Sequence, residues 1–258
     1  MQRLNNHGTT LVELLVVISV SFAMMGLVTA FALDYWKNTT TISGDQATLV
    51  SRLNASTYLN TIIGQSTGFV IQNDLPDNNS GAPDPAIPSG KYWVPIHAIP
   101  VTIAMGAANT VKPLLYFRIP STNNTKNLIF NGAIPYEDNV ILYLDGSTKE
   151  LRSRKVINSN ATGNQSRTSC PPAVANNACP ADAVISENVS AVALRYFSRS
   201  DNLIDYSSIT DPATMQFIGP DYPSVEIVEV TIKYFKKAQL RNAVNSTSQT
   251  VIRVALRN

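Results

Sequence analysis

The chain has 258 residues, enough to bury a sizeable core in one or two domains. It is 44% hydrophobic and only 15% charged, below the roughly 25% usual in soluble proteins. Asn, Ser and Thr fill the polar positions instead, and a formal net charge of +2 argues for neither nucleic acid nor an acidic partner.

The first element is apolar. Residues 14–33 hold no charged residue and no proline, with Arg3 and His7 before them and Asp34 and Lys37 after them. A helix of about twenty residues is roughly 30 Å long, the hydrocarbon thickness of a bilayer. Arg3 favours a cytoplasmic N-terminus. Three readings fit such a segment: a plain signal anchor, a secretory signal peptide cut after the small-x-small run at 30–32, or a leader cut ahead of the apolar run so that the run is retained. Glu13 discriminates between them. It stands one residue before the apolar stretch. A carboxylate costs about 2.5–3.5 kcal/mol at mid-membrane and less near the edge, so it usually has a partner and a role. Gly8, five positions earlier, suits a protease that needs close backbone access.

The run Gly8-Thr9-Thr10-Leu11-Val12-Glu13 followed by LLVVI resembles the class III signal of type IV pilins and type II secretion pseudopilins. Thr9 stands where most members carry Phe or Met. The resemblance implies cleavage by a prepilin peptidase between Gly8 and Thr9 and N-methylation of the new amine of Thr9. It also implies that Glu13 faces the positive N-terminus of a neighbouring subunit in a filament. In a low-dielectric filament core that pairing neutralises two charges that are each costly alone, and so selects one axial stagger.

The helical pattern continues past residue 33. Tyr35, Ile42, Leu49 and Ile63 fall at multiples of seven, with Leu53 and Leu59 near the same stripe and Asp45, Gln46, Arg52 and Asn54 around it. One helix from about Thr10 to about Ile63 is expected, with Gly26 and Gly44 as its weak points. Residues 73–90 (NDLPDNNSGAPDPAIPSG) form a loop whose four prolines exclude a long helix or a central strand. Asp74, Asp77 and Asp84 within it lack the spacing of an EF-hand and read as solvated.

From residue 92 onward the chain reads as strands: 111–119, 127–130, a hairpin of 140–144 and 149–156 around Asp145-Gly146, then 184–197, 225–235 and 251–256. Alternation is clearest in 225–235, where Val228, Val230, Ile232 and Tyr234 face one way. The expected fold is α+β, with an antiparallel sheet whose buried face is covered by the long helix. Cys170 and Cys179 lie in SCPPAVANNACP. In an oxidising compartment this pair closes a disulfide, stabilising by roughly 2.5–3 kcal/mol in the chain-entropy model; in the cytosol it would remain two thiols. Two thiols without nearby partners make a poor metal site.

The C-terminal half carries a looser likeness. VILYLDGSTKELRSRKV (140–156), ENVSAVALRYFSRSDNL (187–203) and the ending VIRVALRN resemble segments of PilW-like minor pilins and J-type minor pseudopilins. Together the resemblances imply residues 1–8 as leader, 9–33 as membrane and assembly helix, 34–63 as its amphipathic continuation and 64–258 as an extracytoplasmic pilin head. The implied partners are other pilin or pseudopilin subunits, the prepilin peptidase and the cytoplasmic (inner) membrane, which the chain crosses once before it enters a pilus or pseudopilus.

Chemistry is sparse. His97, in WVPIHAIP, is a lone histidine among apolar residues and reads as a satisfied core or loop residue. No nucleophile elbow, metal-ligand cluster or phosphate loop is present. Two basic clusters, Arg152/Arg154/Lys155 and Lys233/Lys236/Lys237/Arg241, read as solvated strand ends rather than a nucleic-acid surface. The sequence therefore points to a non-enzymatic structural subunit without cofactor, with a membrane-anchored adhesin or binding protein as the alternative and a secreted hydrolase third.

Overall fold

The computed structural model of the protein describes residues 10–69, 75–76, 92–93, 101–104, 111–204, 225–235 and 248–256. Gly8, Thr9, Asp74, Asp77, Asp84, His97, Lys236, Lys237 and Arg241 lie outside the described residues. The chain divides into two units, Met1–Leu49 and Val50–Asn258.

One helix, α1 (Leu11–Gly64), spans the boundary between the units and continues unbroken through Gly26 and Gly44. No proline interrupts it. Its first turn is closed by side chains described below. At its other end the amides of Gln65 and Ser66 return to Thr61 and Ile63 carbonyls at 3.2 and 3.0 Å.

The Val50–Asn258 unit is built on antiparallel strands: β1 (Gly68–Phe69), β2 (Leu75–Pro76), β3 (Tyr92–Trp93), β4 (Val101–Ala104), β5 (Val111–Pro120), β6 (Phe130–Asn131), β7 (Ile134–Pro135), β8 (Glu137–Asp145), β9 (Glu150–Val156), β10 (Ala183–Ser186), β11 (Val189–Phe197), β12 (Ile227–Tyr234) and β13 (Ser248–Ala255). Where one sheet was expected there are two main ones, ordered β1-β5-β8-β9-β10 and β13-β12-β11-β4, beside the small pairs β2-β3 and β6-β7. The expected strand over 184–197 is in fact β10 and β11, one in each main sheet. The break has a local cause. Asn188 adopts φ +56°, a left-handed conformation that Asn tolerates better than most residues and that cannot continue a strand.

The β8–β9 hairpin forms as expected, with Asp145 opposite Glu150 and Gly146 in the turn. Asp145 Oδ1 accepts the Ser147 amide at 2.9 Å, an Asx turn, and Lys149 completes the reversal at φ +58°.

A single core joins α1 to the inner faces of both main sheets. On the helix it is made by Ala55, Leu59 and Ile63, each fully buried, with Tyr58 and Ile62 partly buried against it. The seven-residue stripe read from the sequence is thereby corrected. Leu49 and Leu53 are 55% and 59% exposed, and Tyr35 is exposed as well. The packed face advances by fours, the spacing of one ridge of a 3.6-residue helix, whereas a strict seven-residue repeat drifts off that face. The strands behave as their alternation predicts. Val228, Val230, Ile232 and Tyr234 are buried, as are Val192, Leu194 and Tyr196 on β11 and Ile252 and Val254 on β13. On β8, Val140, Leu142 and Leu144 enter this core, while Ile141 and Tyr143 join Tyr116 in a second cluster on the opposite face of the sheet.

Candidate functional site: the helix start and the disulfide-clamped loop

Two regions concentrate chemistry, one in each unit. At the start of α1, the Thr10 amide donates to Glu13 Oε2 at 2.9 Å and the Glu13 amide donates to Thr10 Oγ1 at 3.3 Å. This reciprocal pair is a capping box, satisfying two amides that the first helical turn leaves unpaired. The T-x-x-E spacing announced it in the sequence, where Glu13 was read only for its charge. Glu13 thus has a local partner on its own chain. Directly behind it, Leu11–Thr39 is a helical span of 29 residues long and apolar enough to cross a membrane, none of it buried by the rest of the chain. Ser19 and Thr29 turn their hydroxyls back onto the Leu15 and Met25 carbonyls at 2.8 and 2.7 Å, which satisfies both within the helix. Tyr35 and Trp36 lie near the far end of the span, where aromatic side chains favour a membrane–water interface.

The second region lies on the outer face of the β8–β9–β10 edge. Cys170 and Cys179 are joined in a disulfide, as expected for an oxidising compartment. The short helix η1 (Pro172–Val174) and an Asn176 turn fill the ring that it closes. On one side of the ring, the Ser169 amide donates to the Lys155 carbonyl at 2.9 Å. Lys155 and Ile157 amides return to Ser169 Oγ and Thr168 Oγ1 at 2.9 and 3.1 Å, which lays this segment along the end of β9. On the other side, the Cys170 amide donates to the Pro180 carbonyl and the Asp182 amide to the Cys170 carbonyl, both at 2.8 Å.

These contacts deliver Asp182 into the protein. Its side chain has no exposed surface, accepts the Tyr143 hydroxyl at 2.7 Å and the Ser169 hydroxyl at 2.6 Å, and lies 3.6 Å from Nη1 of Arg154, itself fully buried. Arg152 donates to the Asp182 carbonyl at 3.2 Å and pairs with Glu150 and Asp145. Lys155 reaches Asp138 at 3.2 Å. Asp138 is fully buried and also accepts the Ser121 hydroxyl, the Asn158 amide and the Asn164 side chain. The basic cluster Arg152/Arg154/Lys155 is therefore not a solvated strand end. Alternation puts Arg152 and Arg154 on the face of β9 that the disulfide loop covers, where each meets a carboxylate, while Lys155, on the other face, meets Asp138. Sequence reading missed Asp182, Asp138, Tyr143 and Ser169 because their partners lie 13 to 39 residues away, with no periodicity to betray them.

Burial pushes the Tyr143 hydroxyl far above the usual tyrosine range, helped by the negative charge of Asp182. Tyr58 on α1, hydrogen-bonded to Ser153 on the opposite face of β9, is also raised by burial. Both hydroxyls stay protonated at physiological pH.

Among the described residues no group of three His, Cys, Asp or Glu side chains is placed to hold a metal ion. A cavity of about 590 Å3 beside the disulfide is lined by Ile157, Arg167, Thr168, Asn177 and Ala178, with Arg167 donating to the Asn177 carbonyl at 2.6 Å. Comparison of the chain with protein-family models, curated proteins and solved structures finds no match.

Proposed function

We propose that this chain is a minor pilin or pseudopilin, a structural subunit of a type IV pilus-like filament or type II secretion pseudopilus, cut by prepilin peptidase after Gly8 and methylated on Thr9. The observation that carries the reading is the Gly8–Glu13 signal set immediately before a membrane-length helix that the rest of the chain leaves bare. A span with no intramolecular partner either faces lipid or packs on other subunits, and a signal that retains the span serves the second use. The β-rich unit that follows is the head, placed outside the cytoplasmic membrane. The disulfide agrees with that side. The resemblance of residues 140–156 and 187–203 to minor subunits favours a position at the tip or in initiating assembly.

The capping box supports a second reading, a membrane-anchored adhesin or binding protein, because it gives Glu13 a role that needs no neighbour. Two measurements separate them. The mature protein should begin at N-methyl-Thr9 by mass spectrometry; an uncut Met1 favours the plain anchor, and a start at Leu33 means ordinary secretion. Glu13→Gln should then divide capping from charge, because glutamine keeps the capping geometry. A filament role predicts that Glu13→Gln enters filaments poorly while still reaching the membrane. Incorporation at the native level would remove the pairing.

A further inference from the structure

The disulfide and the buried ion pair are not independent features. Arg154 and Asp182 are both without exposed side-chain surface. A buried guanidinium is tolerable only while its counter-charge is held in place. Asp182 comes three residues after Cys179, and its amide is bonded to the carbonyl of Cys170. Its carboxylate is further fixed by Ser169, the residue before Cys170. The two ends of the sulfur bridge therefore hold the segments that carry the carboxylate and one of its two hydroxyl donors. In the thiol form, Pro180–Asp182 is left on Cys170 by two backbone hydrogen bonds, each worth little net against water. β10 starts only at Ala183.

We propose that the Cys170–Cys179 disulfide is a redox latch on the buried Arg154–Asp182 pair, so that the Val50–Asn258 unit reaches full stability only after oxidation. A reduced chain would carry Arg154 against a loosely held carboxylate. The unit thus stays softer in a reducing compartment and locks once the cysteines meet an oxidising one. The inference needs only an oxidised destination and stands apart from the filament reading.

The test uses the full chain in detergent micelles. Urea unfolding is followed with and without a phosphine reductant, in the native chain and in Arg154→Met/Asp182→Asn, where asparagine keeps an acceptor for Ser169 or Tyr143. A disulfide acting only through loop entropy costs the same in both backgrounds. A latch makes reduction more damaging in the native chain, by at least about tenfold in the unfolding constant, or about 1.4 kcal/mol. An equal loss in both, or no loss in either, overturns the proposal. Should the double variant not fold, hydrogen exchange on the native chain decides. On reduction the Ser169 and Asp182 amides should lose protection at least about tenfold more than those of Val228 and Val230. Unchanged protection, or an equal fall at all four, rejects the latch.

Discussion

Arg154 centres the buried charge cluster on the outer face of β9. Its guanidinium is inside the protein, paired with Asp182, which also holds Tyr143 and Ser169. Removing one partner of a buried pair leaves an uncompensated charge, at a cost of about 3–5 kcal/mol. Asp182→Asn should lose that much in urea unfolding, and adding Arg154→Met should restore most of it. Tyr143 gives the same site a pH signature. Its hydroxyl is raised in the folded state, so folding favours the protonated form. That stability is complete below the unfolded tyrosine value near 10 and is lost as pH climbs from there toward the raised folded value. Tyr58 acts with the same sign. Tyr143 should contribute a decline of about 1.4 kcal/mol per pH unit above roughly pH 10, to which Tyr58 adds in the same direction. Alkaline unfolding of Tyr143→Phe followed by circular dichroism should show a shallower decline than the native chain.

At the scale of elements, α1 shows what the sequence could and could not disclose. Its existence and length were legible, because some fifty residues run without proline from a T-x-x-E start to Gly64. Its packed face was not. Ala55 attracts no notice in a hydrophobic pattern, and Leu49, Leu53 and Leu59 look equivalent until the sheets arrive to choose among them. The choice has a clear consequence. Leu59→Ala should destabilise by about 2–5 kcal/mol, as for a fully buried leucine. Leu53→Ala, at a mostly exposed site, should change stability by no more than about 0.5 kcal/mol in the same denaturation experiment. Strands were legible where one face is buried and the other wet, as on β12, whose burial alternates along its whole length. The division of 184–197 into β10 and β11 was written in Asn188, a residue suited to positive φ, but partial alternation across it masked the break.

Over the whole molecule, the legible part of the candidate site was local: the T-x-x-E start at Thr10 and Glu13, the apolar run and the nearby cysteines. The illegible part joins distant segments, as in the pairing of Arg154 with Asp182 across β9 and the loop before β10. Division into Met1–Leu49 and Val50–Asn258 has its own consequence. Every helical residue of the shared core, from Ala55 to Ile63, lies in the second unit, as do both main sheets and the disulfide. The first unit contributes a bare apolar span instead. Its loss should therefore change where the protein resides far more than how the head is held together. A chain beginning at Val50 should be recovered without detergent, keep its disulfide and unfold in one cooperative transition. Its urea midpoint should match that of the full chain in micelles to within about 1 kcal/mol of unfolding free energy, since the described helical core residues Ala55, Leu59 and Ile63 are all retained. The remaining helix, Val50–Gly64, is short enough to be marginal alone, and depends on Leu59 and Ile63 being packed. Introducing Leu59→Ala into the truncated chain should then lower cooperativity as well as the midpoint, because the segment that joins the two sheets loses its anchor.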